Sequence, residues 1–280
     1  MLPKQPSLTA RGAAGHRAAH QILEQGAIFR DPFARRILGV RECARADARA
    51  ADPSTRPMRL FLAARSRFAE DALAAAVARG VRQAVVLGAG FDTFALRNPF
   101  ADLTVFEVDH PATQAWKRQR LDEEGIAVPC TLAFVSIDFE RENLKERLAA
   151  RGFAFDRPAF FMWLGVVPYL TREAIFAVLR FVAGREGSEI ALDYGEPVEN
   201  FPPEIRARAR AFSTRVAKAG EPFLSHFAPQ ELRAALHEMG FAEIEDLDIA
   251  GIAARFLPGH SVRRGSGGAH LLRARAGPGG

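Results

Sequence analysis

Sulfur is nearly absent from this sequence. Of 280 residues only two are cysteine, Cys43 and Cys130, and they lie far apart. That excludes a disulfide framework and a thiolate metal cluster, and both thiols are expected to be buried. Tyrosine is as scarce, with Tyr169 and Tyr194 the only two. Long apolar runs are missing. The longest, AFFMWLGVVPYL at residues 159–170, is shorter than the about 20 residues that a membrane helix needs. The opening MLPKQPSLTARGAAGH contains no apolar stretch of the secretory-signal kind. The expectation is a soluble cytoplasmic protein with no membrane partner. A strong charge excess is missing too: the net charge is +5, which gives little support for a nucleic-acid partner. His16 and His20 lie one helical turn apart without a third ligand, so no metal site is expected. No His/Asp or Cys/His constellation stands out, and no side chain is assigned a catalytic role. Nothing in the sequence speaks to oligomeric state.

What is present is apolar residue in quantity, 48% of the chain, enough for a sizeable core. Residues 7–38 read as helical, with Asp31 as N-cap and Pro32 as the first helical position of DPFARRIL. Residues 41–57 are polar, carry two prolines and read as a loop. MRLFLAARSRFAEDALAAAVARG follows as a long helix ended by Gly80. The rhythm then changes. QAVVLGAG, LTVFEVDHP, TLAFVSID, AFFMWLGVVPYL and SEIALDYG read as five strands with helices between them. AEIEDLDI and AHLLRARA read as a sixth and a seventh. Such alternation predicts an α/β fold with a mostly parallel sheet covered on both faces. The expected organisation is a helical N-terminal extension, residues 1–80, before a single compact binding domain, residues 81–280.

Residues 83–92, QAVVLGAGFD, end an apolar strand in Gly88-Ala89-Gly90. In open parallel sheets ligands bind at the carboxyl ends of strands, and glycine there lets backbone approach a ligand closely. The dinucleotide fingerprint needs a third glycine where Thr93 stands, and no Gly-Lys-Ser/Thr follows, so neither a dinucleotide nor a phosphate loop is supported. The second strand ends at Asp109, 19 residues after Gly90, the spacing of a carboxylate that accepts from ribose hydroxyls. The third ends at Asp138 and Phe139, an acceptor for an adenine amine beside an apolar wall. A glycine turn and two acids at successive strand ends suit a nucleoside without a diphosphate, and S-adenosylmethionine is the cofactor that this set points to.

These segments resemble the leucine carboxyl methyltransferase family of S-adenosylmethionine-dependent enzymes. The likeness rests on PSLTARGAAGHRAAH, DPFARRIL, SRFAED, VVLGAGFDT, VFEVDHP, VSIDFE and FFMWLGVVPYLTRE, and covers most of residues 7–195. It implies a seven-stranded, Rossmann-like methyltransferase sheet with the last strand antiparallel. It also implies cofactor roles: Arg65 on the methionine carboxylate, Gly88 and Gly90 against the same moiety, Asp109 on the ribose, Asp138 and Phe139 around the adenine. Two positions depart from related patterns. Val86 stands where many methyltransferases have an acid, and Leu164 where better-known family members have glutamate.

The expected function is O-methylation of a small molecule, with a carboxylate as the acceptor. A carboxylate is already ionised at neutral pH and needs no general base. Tyr169 and Tyr194 are candidate acceptor contacts. The alternative is a non-catalytic protein that binds S-adenosylmethionine or another nucleoside on the same scaffold, and a dinucleotide-dependent oxidoreductase is the weaker third reading. Residues 1–30 are expected to fold over the cofactor as a lid, with Arg65 on its hinge side.

Overall fold

Seven strands form where the apolar runs stand. The computed structural model describes residues 8–138, 142–218, 220–259 and 267–278. The chain divides into two compact units: Met1–Arg67 with Arg82–Ala154, and Phe68–Val81 with Phe155–Gly280.

The first unit starts with helices α1 (Leu8–Leu23), α2 (Ala34–Leu38) and α3 (Val40–Ala50), and α4 (Arg56–Ala78) runs from it into the second. Strands β1 (Gln83–Leu87) and β2 (Thr104–Asp109), helix α5 (Pro111–Glu123), strand β3 (Leu132–Ser136) and helix α6 (Leu144–Ala149) complete it. β1 pairs with β2 and β2 with β3, both parallel. Every residue of β1 is buried, as a strand covered on both faces requires. Even Gln83 is inside, and its amide is satisfied by donating to Ala154 O at 3.0 Å and accepting from Ala154 N at 2.7 Å. Ala14 and Ala18 of α1 pack with Ala34, Leu38, Cys43 and Phe91 in one apolar cluster.

Three expectations in this unit are corrected. Residues 41–50 are not loop but most of α3. Alanine and arginine favour helix there, and Arg35 clamps the new helix through two 2.9 Å bonds to Asp47. The prolines come later, Pro53 in a 3-10 turn and Pro57 in the first turn of α4, where its missing N–H leaves no bond unmade. Asp31 does not cap α2, whose N-cap is Phe33. Its carboxylate instead accepts from Phe33 N at 3.0 Å and from Thr93 Oγ1 at 2.7 Å. Cys43 is buried, but Cys130 is exposed in the turn before β3.

The second unit holds β4 (Phe160–Trp163), α7 (Arg172–Ala183), β5 (Glu189–Gly195), α8 (Pro203–Lys218), α9 (Pro229–Glu238), β6 (Phe241–Leu247), α10 (Ile249–Phe256) and β7 (Ala269–Ala276). β4 pairs parallel with β5, and β7 runs antiparallel to both β5 and β6. The strand order is β3-β2-β1-β4-β5-β7-β6, so the fold is the seven-stranded α/β sheet with an antiparallel last strand that the sequence implies. Phe160, Phe161 and Trp163 are fully enclosed. Each such side chain contributes about 1.5 to 3 kcal/mol, which fixes the register of this short strand. Thr171 caps α7 by accepting from Ala174 N at 3.3 Å. Helix α10 has no counterpart in the sequence reading; Asp248, read as strand, caps it by accepting from Gly251 N at 2.7 Å.

Candidate functional site

Strand β1 delivers the chain into the glycine turn, and Gly88 and Gly90 both have positive φ, +65° and +50°. A side chain at either is strained by that backbone alone. At Gly90 an added Cβ would also lie 3.4 Å from Ala10 Cβ of α1. The turn is closed from several directions. Gly88 N and Ala89 N donate to Val108 O at 2.8 and 3.1 Å, and Asp92 N donates to Ala89 O at 2.7 Å. Gly90 N donates to Asp109 Oδ2.

Asp109 ends β2 and is level with Ser136 of β3. Its other oxygen, Oδ1, accepts from His110 N at 2.6 Å. Each carboxylate oxygen thus takes one backbone N–H and keeps a further lone pair. Two acceptor positions on one carboxylate fit the two hydroxyls of a ribose. Burial pushes the Asp109 carboxyl above the ordinary aspartate range, while the Gly90 and His110 amides and Lys117 pull the other way.

Asp138 follows β3, next in line after Ile137, whose N–H donates to Asp109 O at 3.0 Å. Its own N–H donates to Glu142 Oε2 at 2.8 Å, and its side chain is part-buried. Gly88, Gly90, Asp109 and Asp138 therefore lie at three adjacent strand ends of one unit. Arg65 belongs to the same unit, part-buried on α4 with its Nε inside. Phe139 lies outside the described residues. Val86 is buried among apolar strand residues.

The sequence reading missed the charged group around this turn. Arg17 of α1 donates to Phe91 O at 2.5 Å and lies 3.7 Å from Asp92 and 3.5 Å from Asp31. Lys117 of α5, only 1% exposed, donates to Asp92 O at 2.5 Å and to Glu107 Oε2 at 2.6 Å. Burial opposes ionisation of Asp92, but Arg17, Lys117 and Arg97 outweigh it and hold the carboxyl below its ordinary value. Burial moves Glu107 the other way, upward, against the pull of Lys117. A signal existed: Lys117 shares the buried face of α5 with Thr113, Gln114 and Leu121, at helical spacing. Among the basic neighbours in AWKRQR it reads as a solvated charge.

A family model described as leucine carboxyl methyltransferase matches residues 10–183. The chain belongs to the leucine carboxyl methyltransferase family. S-adenosylmethionine is the cofactor of this family, and the strand-end geometry fits it. A protein of Bacillus subtilis (strain 168), provisionally named an S-adenosyl-L-methionine-dependent methyltransferase, is 35% identical over 188 residues, covering 66% of this chain and 62% of its own. One of Mycolicibacterium gilvum with the same provisional name is 36% identical, covering 57% of this chain and 52% of its own. The matches thus span about half to three fifths of these curated relatives. Among solved structures, a provisionally assigned methyltransferase from Thermobifida fusca superimposes with a TM-score of 0.60 at 17% identity, covering 98% of this chain and 96% of that one. That likeness establishes the fold of this family member over nearly its whole length.

The two tyrosines lie in the second unit, in unlike settings. Tyr169 follows β4, part-buried, with its ring 5.3 Å from that of Phe223. The segment carrying Phe223 is strapped to the strand ends, Leu224 N donating to Pro168 O at 2.7 Å and Phe227 N to Gly195 O at 3.1 Å. Tyr194 of β5 is 2% exposed, and its hydroxyl donates to Asp246 Oδ2 at 2.7 Å. Burial and the Asp246 charge both push its pKa upward, so the phenol keeps that proton. Its ring stacks on His270, centroids 4.7 Å apart.

The sequence shows no His/Asp pair, yet the fold makes one. His270 Nδ1 is 2.8 Å from Asp246 Oδ1 and Nε2 is 3.0 Å from Glu196 Oε1. Both ring nitrogens face carboxylates, so the imidazolium, a donor at each, satisfies the arrangement. It is not a free base. Burial lowers the His270 pKa, but Asp246 and Glu196 outweigh it and raise the value above 6.5. A raised folded-state pKa gives stability that is full below the unfolded value and lost as pH climbs through the folded one. The denaturation midpoint should therefore fall as pH rises above the ordinary histidine value and through the raised one of His270, and His270→Gln should remove that slope. A slope unchanged in the variant assigns it to another group. Burial shifts His16, His20 and His226 the opposite way, below the ordinary histidine value.

Among the described residues, no group of three or more His, Cys, Asp or Glu side chains is placed to hold a metal, and no helix is long and apolar enough to cross a membrane.

Proposed function

We propose that the protein is an S-adenosylmethionine-dependent O-methyltransferase whose acceptor is the carboxylate of a small molecule. The alignment of Gly88, Gly90, Asp109 and Asp138 at three successive strand ends of one unit supports the cofactor part of this reading, and the likeness to leucine carboxyl methyltransferases supports the carboxylate part. Family membership gives the same cofactor independently.

In this reading Asp109 accepts from both ribose hydroxyls through the lone pairs that Gly90 and His110 leave on it. Asp138 accepts from the adenine amine. Arg65 pairs with the carboxylate of the methionine moiety, and Gly88 and Gly90 allow backbone to lie close against it. Phe139 keeps its place beside the adenine through the resemblance alone. The cofactor supplies a methyl group already activated by its positive sulfur. What remains for the protein is alignment and exclusion of water. An ionised carboxylate acceptor needs no base. Tyr169, which follows β4, is the candidate acceptor contact of this reading; the Tyr194 hydroxyl donates to Asp246.

The acceptor class is tested by its product. Incubation with methyl-labelled S-adenosylmethionine and a cell extract should give label released as methanol under mild base, the behaviour of a methyl ester. Base-stable label identifies an ether or an N-methyl product and overturns the carboxylate assignment. Calorimetric titration of the wild-type protein should show binding of S-adenosylhomocysteine and none of NAD.

A further inference from the structure

We propose that Lys117 and Glu107 are positioning residues for cofactor binding: strand β2 grips the glycine turn at two points, directly at Gly90 through Asp109 and indirectly at Asp92 through the Glu107–Lys117 pair. The inference rests on the methyltransferase reading above.

Glu107 and Asp109 are two residues apart on β2, so their side chains leave the same face of the strand. Asp109 takes the N–H of Gly90. Glu107, 1% exposed, holds the Lys117 ammonium at 2.6 Å, and that ammonium donates to the carbonyl of Asp92 at 2.5 Å. One strand thus fixes the turn at residue 90 through an acceptor and at residue 92 through a donor. Arg17 holds the carbonyl between them, that of Phe91.

Burying an ammonium and a carboxylate together is costly, and an apolar pair of similar volume is often as stable or more so. Stability alone therefore does not call for a lysine here. What an apolar side chain cannot do is donate to a turn carbonyl. Two positive-φ glycines give the unfolded or unrestrained segment 88–92 backbone freedom that has to be lost for binding. Fixing it at residues 90 and 92 before the cofactor arrives removes an ordering cost from binding. The glycines lie against the methionine half of the cofactor in this reading, whereas adenine and ribose are held from β2 and β3. Lys117 should matter most to the amino-acid half.

The test compares two probes, S-adenosylhomocysteine and adenosine, on the full chain by calorimetry. Lys117→Met should weaken S-adenosylhomocysteine at least about tenfold more than it weakens adenosine. Lys117→Arg, which restores a donor, should recover part of the loss. Glu107→Gln keeps volume and an acceptor oxygen, and should give a smaller loss of the same pattern, about threefold. Should Lys117→Met fail to fold, Glu107→Gln decides alone. Equal losses for both probes, or unchanged S-adenosylhomocysteine affinity in folded variants, overturn the positioning role and leave the methyltransferase reading intact. A wild-type protein that binds neither probe overturns both.

Discussion

Asp109→Ala should weaken S-adenosylhomocysteine binding by about 30- to 1,000-fold, or about 2 to 4 kcal/mol. Two losses combine. Two ribose hydroxyls lose a charged acceptor at a buried site. The amide of Gly90 loses its partner as well, so the turn that faces the cofactor is no longer fixed there. Asp109→Asn keeps one carbonyl oxygen but puts an N–H₂ where the second acceptor stood, and should fall between wild type and alanine. The pH dependence follows from burial. Because burial lifts the Asp109 carboxyl above the ordinary aspartate range, protonation on acidification begins at a higher pH than for an exposed aspartate. The affinity of the wild type should fall on acidification through that raised value, and Asp109→Asn should show no such fall. Calorimetry across acidic pH reads both. Unchanged affinity in Asp109→Ala removes the ribose assignment.

The distance from sequence to site is short where chemistry and strand end coincide. QAVVL, TVFEVD and IALDYG are apolar runs too short for helices, and each forms the strand expected of it. The glycine pair and Asp109 were legible because a turn with positive φ and an acid after a buried strand leave marks in the local sequence. The 19-residue spacing suggests a ribose contact for Asp109; that the same carboxylate also holds the Gly90 amide is not foreseen from it. What was not legible depends on contacts between distant segments. Thr93 reads only as a failed third glycine, yet it is fully buried and its hydroxyl bonds to Asp31, 62 residues earlier. Lys117 is given meaning by Asp92 and Glu107, and His270 by Asp246 and Glu196, and none of these partners is close in sequence. Helix α3 was missed for a different reason. Its charged residues look like loop, and only the bidentate Arg35–Asp47 contact and the buried Cys43 and Ala50 show the face on which it packs.

Deleting residues 1–25 should weaken cofactor binding and abolish methyl transfer, because α1 is joined to the glycine turn by charge and by packing. Arg17 donates to the Phe91 carbonyl and faces Asp92 and Asp31. Ala14 and Ala18 pack in one cluster with the Phe91 side chain, and Ala10 stands over Gly90. In the proposed lid the segment closes the strand ends against water, strengthening the charge interactions within and sparing the activated methyl group from hydrolysis. The truncation also uncovers Phe91 and Cys43, so a loss of folding has to be told apart from a loss of closure. Arg17→Met makes that distinction. It leaves the apolar cluster in place and removes the donor to the turn together with the charge facing Asp92 and Asp31, so thermal unfolding is measured beside binding to show that the variant is folded. Its S-adenosylhomocysteine affinity should fall about tenfold, which corresponds to about 1.4 kcal/mol. A charge-assisted bond to a backbone carbonyl is worth that much when its loss frees a segment that must be ordered to bind. If the truncated chain folds and binds S-adenosylhomocysteine as the whole chain does, residues 1–25 are no lid. If Arg17→Met binds normally while the truncated chain does not fold, the segment acts as core, and α1 contributes packing rather than closure.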